Sequence, residues 1–316
     1  MNVNTKEYCI LIGSHIFNKK RIEYLSECLN SLLQQKIPIN IYLSISFDND
    51  ELKQIVLNII NQLNTKILKV FIQNNKTAQM HHIYLLCKEI KDTYKWIMFC
   101  DDDDTYENNR SEQIIRNISI YNSKINNLVG LYESSFNKNH KKQRHEYWMY
   151  CINIQLLTNF FNKISKYEEI LKHKCCDIFL GEYLRRLKKN NIFIQLKEQY
   201  YNYRITDNTD SITHYIQSKQ SEYNKILNEH YPSIEEPEFI NYLLKINKFL
   251  IDNIEVFLHD TYCYSIIGVK YERIIQNVLL INYNIKNYID LEFSKELYKL
   301  YNLINQISKE LYDIPI

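Results

Sequence analysis

Glycine and proline are scarce in this chain and alanine is nearly missing: four, four and one (Ala78) among 316 residues. So few glycines leave no P-loop and no glycine-rich cradle for phosphates. No uninterrupted apolar run approaches the roughly 20 residues of a membrane span, so no integral membrane segment is expected. The opening stretch MNVNTKEY has no signal-peptide apolar core. None of the eight cysteines forms a CxxC pair, which argues against a zinc site. Several cysteines sit inside apolar runs as small buried hydrophobes, and a reducing, cytoplasmic setting is expected. Net charge is only +2, so no global field favours nucleic acid. N-glycosylation patterns at Asn75, Asn109 and Asn117 are read as chance in so asparagine-rich a chain.

What is present is ordinary in bulk: 45% hydrophobic and 24% charged residues, enough for a sizeable core. Ile, Asn, Lys and Tyr dominate, which reads as coding bias and weakens propensity arguments. The pattern carries more. Tyr8–Gly13 is a short apolar run ended by glycine, followed by Ile22, Leu25, Leu29, Leu32 and Leu33 at helical spacing. The residues Ile39–Phe47 alternate like a strand, and Leu52 to Leu63 return to the helical period. A third strand over Ile67–Ile72, a helix over Met80–Lys91 and a fourth strand over Trp96–Cys100 complete a βαβαβαβ order. That order argues for a parallel sheet with helices on its faces, and ligands of such sheets bind beyond the carboxyl ends of the strands. Here all four ends are polar: Gly13-Ser14-His15, Asp48-Asn49-Asp50, Gln73-Asn74-Asn75 and the run Asp101–Asp104.

Four adjacent carboxylates repel one another and raise each other's pKa values, a cost that a hard cation such as Mg²⁺ or Mn²⁺ removes. In an extended segment Asp101 and Asp103 would lie on one side and Asp102 and Asp104 on the other, so that one pair can face a ligand while the other faces solvent or caps the next helix. No spacing matches an EF-hand loop.

At this point residues 8–215 resemble a GT-A glycosyltransferase of the family-2 type. The resemblance rests on YCILIGSH, on SFDND, on QNNKTAQMHH before a helix, and on WIMFCDDDD, in that order. The turns after the second and third strands lack the family's usual glycines. The resemblance implies an α/β fold of GT-A (Rossmann-like) type with a mixed, mainly parallel sheet flanked by helices. It also implies a nucleoside-diphosphate-sugar donor, UDP-linked, and transfer to an acceptor hydroxyl of a glycan, glycoprotein or small molecule. Gly13, Ser14, His15, Asp48 and Asp101 would contact the nucleotide, with Asp48 at the base; the competing reading of Asp48 is a helix N-cap. Mn²⁺ or Mg²⁺ would sit on Asp101 and Asp103, with Asp104 next in line. Asp177, opening an amphipathic helix, stands where the family carries the general base of an inverting transfer. A cap is again the competing role, and Glu182 one turn on is the fallback. Arg204, in a Tyr-Arg pair, would hold the diphosphate, and His214 would be a third metal ligand. Trp148 and Tyr150 would line the acceptor site or pack in the core.

From about residue 216 the pattern turns helical throughout, giving expected domains of 1–215 and 216–316. Phe293, Leu297, Leu300, Ile304, Ile307 and Leu311 alternate four and three apart, as in a coiled-coil seam. The seam is read as docking within the chain, with a homodimer as the alternative. The basic stretches Lys138–His145 and Arg185–Lys189 are read as a solvated loop and a helix C-terminus. Two rival functions remain: a nucleotidyltransferase-type phosphoryl-transfer enzyme, and a non-catalytic nucleotide- or carbohydrate-binding relative.

Overall fold

The computed structural model describes residues 5–125, 127–133, 146–174, 176–187, 192–204, 211–229, 238–253, 256 and 292–312. The basic stretch 138–145, Lys188 and Lys189 therefore lie outside the described residues. The chain divides into two units, Met1–Arg204 and Ile205–Ile316, the division falling ahead of residue 215.

In the first unit the strands are β1 (Tyr8–Ile16), β2 (Asn40–Phe47), β3 (Leu68–Ile72), β4 (Trp96–Phe99), β5 (Thr105–Tyr106), β6 (Leu128–Glu133), β7 (Tyr150–Asn153), β8 (Ile192–Leu196) and β9 (Tyr201–Asn202). Seven of them form one sheet in the order β3-β2-β1-β4-β7-β6-β8, and β5 pairs with β9 in a small antiparallel ribbon. Four of the six neighbouring pairs in the large sheet run parallel, and β7 runs antiparallel to β4 and β6. A mixed, mainly parallel sheet is thus what the βα order builds.

The helices are α1 (Lys19–Leu33), α2 (Asp50–Leu63), α3 (Gln79–Ile90), α4 (Arg110–Asn122), α5 (Ile154–Ile164), α6 (Glu168–Leu171) and α7 (Cys176–Leu187). Asparagine side chains cap three of them, α5 through Asn153, which accepts the Gln155 N–H at 2.9 Å. The Asn18 side chain accepts the Arg21 N–H at 2.9 Å, and the Asn49 side chain accepts the Leu52 N–H at 3.0 Å. The cap of α2 is therefore Asn49, which leaves Asp48 outside the helix. Ile10, Leu11, Ile12, Leu43, Ile97, Met98 and Phe99 are buried in the central strands.

One expectation fails locally. Gly13 does not end the first strand, which continues to Ile16 in register with Phe47. The glycine is needed in mid-strand because α3 crosses it: a Cβ there would meet the Gln79 carbonyl oxygen at 2.8 Å and the His82 Cβ at 2.9 Å. Gly13 is thus required by the packing of α3 on the sheet.

The second unit contains α8 (Ile212–Glu229), α9 (Glu238–Asp252) and α10 (Glu292–Tyr312). Ile304, Ile307 and Leu311 of the predicted seam are buried, as are Ile246 and Leu250 on α9, and α9 contacts α10. The described part of the seam is covered within the chain. No helix among the described residues is long and apolar enough to cross a membrane.

Candidate active site

Strand alternation divides the end of β1 between the two faces of the sheet. Ser14 points toward the aspartate run and donates to Asp102 Oδ2 at 2.5 Å. His15 points the other way and is held between Ser46 Oγ and Asp48 Oδ1, each 2.9 Å away. Burial, then the charge of Lys76, lowers the His15 pKa below 6.5.

The aspartate run is a turn and not an extended segment: the Asp104 N–H donates to the Asp101 carbonyl at 3.2 Å. Burial still alternates along it. Asp102 and Asp104 are buried, at 4% and 1% exposure, while Asp101 and Asp103 are half-buried. The inward pair faces protein, where solvent or a helix cap was expected. Asp102 receives Ser14 and the Arg21 guanidinium, whose other nitrogen donates to Asp103 Oδ2 at 2.9 Å. Asp104 receives the Tyr201 hydroxyl and the Arg204 N–H, both at 2.8 Å. With both oxygens engaged and almost no exposure, Asp104 serves to fasten the turn. Asp101 receives the Gln79 amide at 2.8 Å and the Tyr147 hydroxyl.

Burial raises all three of these carboxyls. Asp101 goes well above the carboxylate range, pushed further by the charges of Asp104, Asp103 and Asp177. Asp104 rises to about 7, and Asp102 to about 6 against the pull of Arg21. Burial first, and the neighbouring carboxylates after it, disfavour the charged forms, a cost that a bound cation would offset.

Asp177 lies in the first turn of α7, half-buried, and its charge reaches both Asp101 and Tyr147. Glu182, the fallback, is buried and bound by Arg185 at 2.6 Å and Arg186 at 2.5 Å, so it is committed to its own helix. Arg204 binds the Asp103 carbonyl through Nε at 2.8 Å and also pairs with Glu27. Tyr150 is wholly buried in β7 and belongs to the core, not to an acceptor surface. Trp148 is 8% exposed and stacks on Tyr201 and Tyr203, with ring centroids 4.2 and 5.2 Å away. The ring that reaches solvent is Tyr203, 45% exposed. The charges of Asp104, Asp101 and Asp103 help burial to raise its phenol to about 12, which places it beside the turn. His214 is exposed near the start of α8, in the second unit.

Behind these groups lies a buried pair that the sequence pattern did not reveal. Arg110 donates to Glu133 at 2.5 Å and to the Trp148 carbonyl at 3.0 Å, and Glu133 accepts the N–H groups of Tyr200 and Tyr201 at 2.6 and 2.9 Å. It ties the 3₁₀ turn Tyr147–Met149 and β9 to the sheet.

The family model for glycosyl transferase family 2 matches residues 15–216, well over half of the chain. The chain belongs to this family. Glycosyl transfer is therefore its chemistry, and the sheet is the GT-A arrangement that the family resemblance implied. No curated protein matches the sequence. Among solved structures, S. aureus TarS 1–349 in complex with UDP aligns at a TM-score of 0.46 and 16% identity, over 97% of this chain and 89% of that one. The mannosyltransferase PcManGT from Pyrobaculum calidifontis, in complex with GDP-Man and Mn²⁺, aligns at 0.45 and 9% identity, over 96% and 87%. Scores and identities this low say nothing about the donor or acceptor of this family-2 chain.

Proposed function

We propose that the first unit moves a sugar from a nucleoside-diphosphate sugar, UDP first among the candidates, to an acceptor hydroxyl with inversion. The observation that carries this reading is the aspartate turn at the carboxyl end of β4, with Asp177 within electrostatic reach of Asp101. Asp48, exposed at the end of β2, supports the choice of nucleotide. A carboxylate accepts from a ring N–H, which uracil and guanine offer and cytosine and adenine do not.

Asp101 and Asp103 fit a divalent cation. Among the described residues no group of three His, Cys, Asp or Glu is arranged to hold a metal. Mg²⁺-type sites commonly need only one or two carboxylates, the rest coming from substrate phosphates and water. Mn²⁺ or Mg²⁺ there would supply Lewis-acid stabilisation of the charge that develops on the departing diphosphate.

The chain's own groups then divide the work. Asp177 takes the proton of the acceptor hydroxyl as its oxygen bonds to the anomeric carbon. The bond from that carbon to the diphosphate breaks, and the nucleoside diphosphate leaves with the electron pair. Arg21 and Arg204 flank the turn as cations for the phosphates, and Tyr203 offers its face to a sugar ring.

The test is nucleotide release from a panel of UDP- and GDP-sugars with Mn²⁺, with and without acceptors. Asp103→Ala is expected to abolish metal-dependent donor binding. Asp177→Ala is expected to keep donor binding and lose transfer. Absence of release from every donor would remove the reading, and full transfer by Asp177→Ala would remove Asp177 as the base.

A further inference from the structure

The register of β1 and β2 sets Gly13 beside Ser44 and His15 beside Ser46. Strand alternation turns all four to the face that α3 covers. There α3 inserts His82, fully buried, into the space left by the missing side chain of Gly13. His82 Nδ1 lies 2.8 Å from Ser44 Oγ, and Nε2 lies 3.1 Å from Ser46 Oγ. Ser46 Oγ also stands 2.9 Å from His15 Nδ1 and receives the Thr77 N–H at 3.3 Å. Gln73 donates to Ser44 Oγ at 3.0 Å. With His15 Nε2 at 2.9 Å from Asp48 Oδ1, a continuous path runs from Gln73 to Asp48.

Counting protons gives the path a direction. A carboxylate only accepts, so His15 Nε2 carries the proton. The ring is neutral near pH 8, its pKa lying below 6.5, so Nδ1 accepts, and the donor is the single O–H of Ser46. The two lone pairs of Ser46 then take the Thr77 N–H and an N–H from His82 Nε2. Burial, with His15 and His81 beyond, lowers the His82 pKa to about 3, so this ring is neutral too. Its Nδ1 accepts from Ser44, whose oxygen takes the Gln73 amide. Run in reverse, the path leaves His15 Nδ1 facing a lone pair.

We propose that His82 is a positioning residue: through Ser46 it fixes His15 as the Nε2–H tautomer, which holds one oxygen of Asp48 and leaves the other for the donor's base. This rests on the reading of Asp48 as the base contact. The hydroxyls of two serines on a buried strand face are thereby put to use in nucleotide recognition, at a distance from the aspartate turn.

The experiment is long-range ¹H–¹⁵N correlation on the full-length, histidine-labelled protein at pH 8, beside calorimetric titration with UDP and with GDP. Both His82 and His15 are expected as Nε2–H. In Ser46→Ala, His82 should keep that form, His15 should show averaged ring-nitrogen shifts, and affinity for the nucleotide bound should fall about tenfold, the size of one hydrogen bond. An Nδ1–H tautomer at His82, or an unchanged His15 spectrum or nucleotide affinity in Ser46→Ala, would overturn the relay. Asp48→Ala tests the reading beneath it. Unchanged nucleotide affinity in that variant, or no binding of either nucleotide by the unaltered protein, would overturn the base site and the relay's purpose with it, even with both tautomers as expected.

Discussion

Arg21 is the group whose removal probes the aspartate turn most directly. Its guanidinium bridges Asp102 and Asp103, and the three side chains are 11%, 6% and 18% exposed. Arg21→Met keeps most of the volume and removes the charge, which strands two nearly buried carboxylates. Breaking a buried pair in this way costs about 3–5 kcal/mol. The cost has a pH signature. Asp102 already titrates at about 6 with Arg21 beside it, and without that cation its folded pKa moves higher. The unfolded value is near 3.9, so between roughly pH 4 and the folded pKa the native state binds more protons than the unfolded one. Stability then rises as pH falls through the folded pKa. The penalty is expected in full at pH 8 and at less than half of that near pH 5. Trp96 and Trp148 are the chain's two tryptophans and both lie in the first unit, so urea unfolding followed by their fluorescence reports this unit alone. Under the proposed metal site, saturating Mn²⁺ should shrink the pH 8 penalty. A penalty under about 1 kcal/mol at pH 8, or one equal at the two pH values, would refute the argument that Arg21 neutralises the turn.

Two further perturbations use the same fluorescence assay. Glu133→Gln leaves the fully buried Arg110 charge without its partner and is expected to cost about 3–5 kcal/mol, with Arg110→Met in the same chain recovering part of it. Gly13→Ala drives a Cβ into the Gln79 backbone and His82, neither the far end of a flexible side chain. It should cost about 1–3 kcal/mol by overpacking and loosen the Gln79 contact to Asp101.

The order of strands and helices was legible because apolar periodicity is a local property, and burial enforces it whatever the composition. The places of the aspartate run after β4 and of Asp177 in the first turn of α7 were legible for a different reason: carboxylates at strand ends and at the start of a helix stand out against an Ile- and Asn-rich background. The partners of those carboxylates were not legible. Arg21, Tyr147, Tyr201 and Gln79 are common residue types that reach the turn only after the chain has folded, across separations of up to 100 residues. Gly13 was misread because glycine after an apolar run fits a turn as well as a crossing helix, and only the path of α3 decides between them. His82 had a signal that went unused. Ser44 and Ser46 alternate inside an apolar strand, and hydroxyls on a buried face require a partner.

Four aspartates in a row serve two purposes because a tight turn cannot send four side chains the same way. Asp102 and Asp104 turn inward and bind the scaffold, through Ser14 and Arg21 on one side and Tyr201 and Arg204 on the other. Those anchors come from α1, β1 and the β9 end, so the turn's position is set by three separate parts of the first unit. A lone pair of aspartates at positions 101 and 103 would have the ligand chemistry without that anchoring, and a loop free to spread its charges has less need of a cation. Held as it is, the turn keeps Asp101 within reach of the charges of Asp103 and Asp177, and burial raises the carboxyl pKa values there.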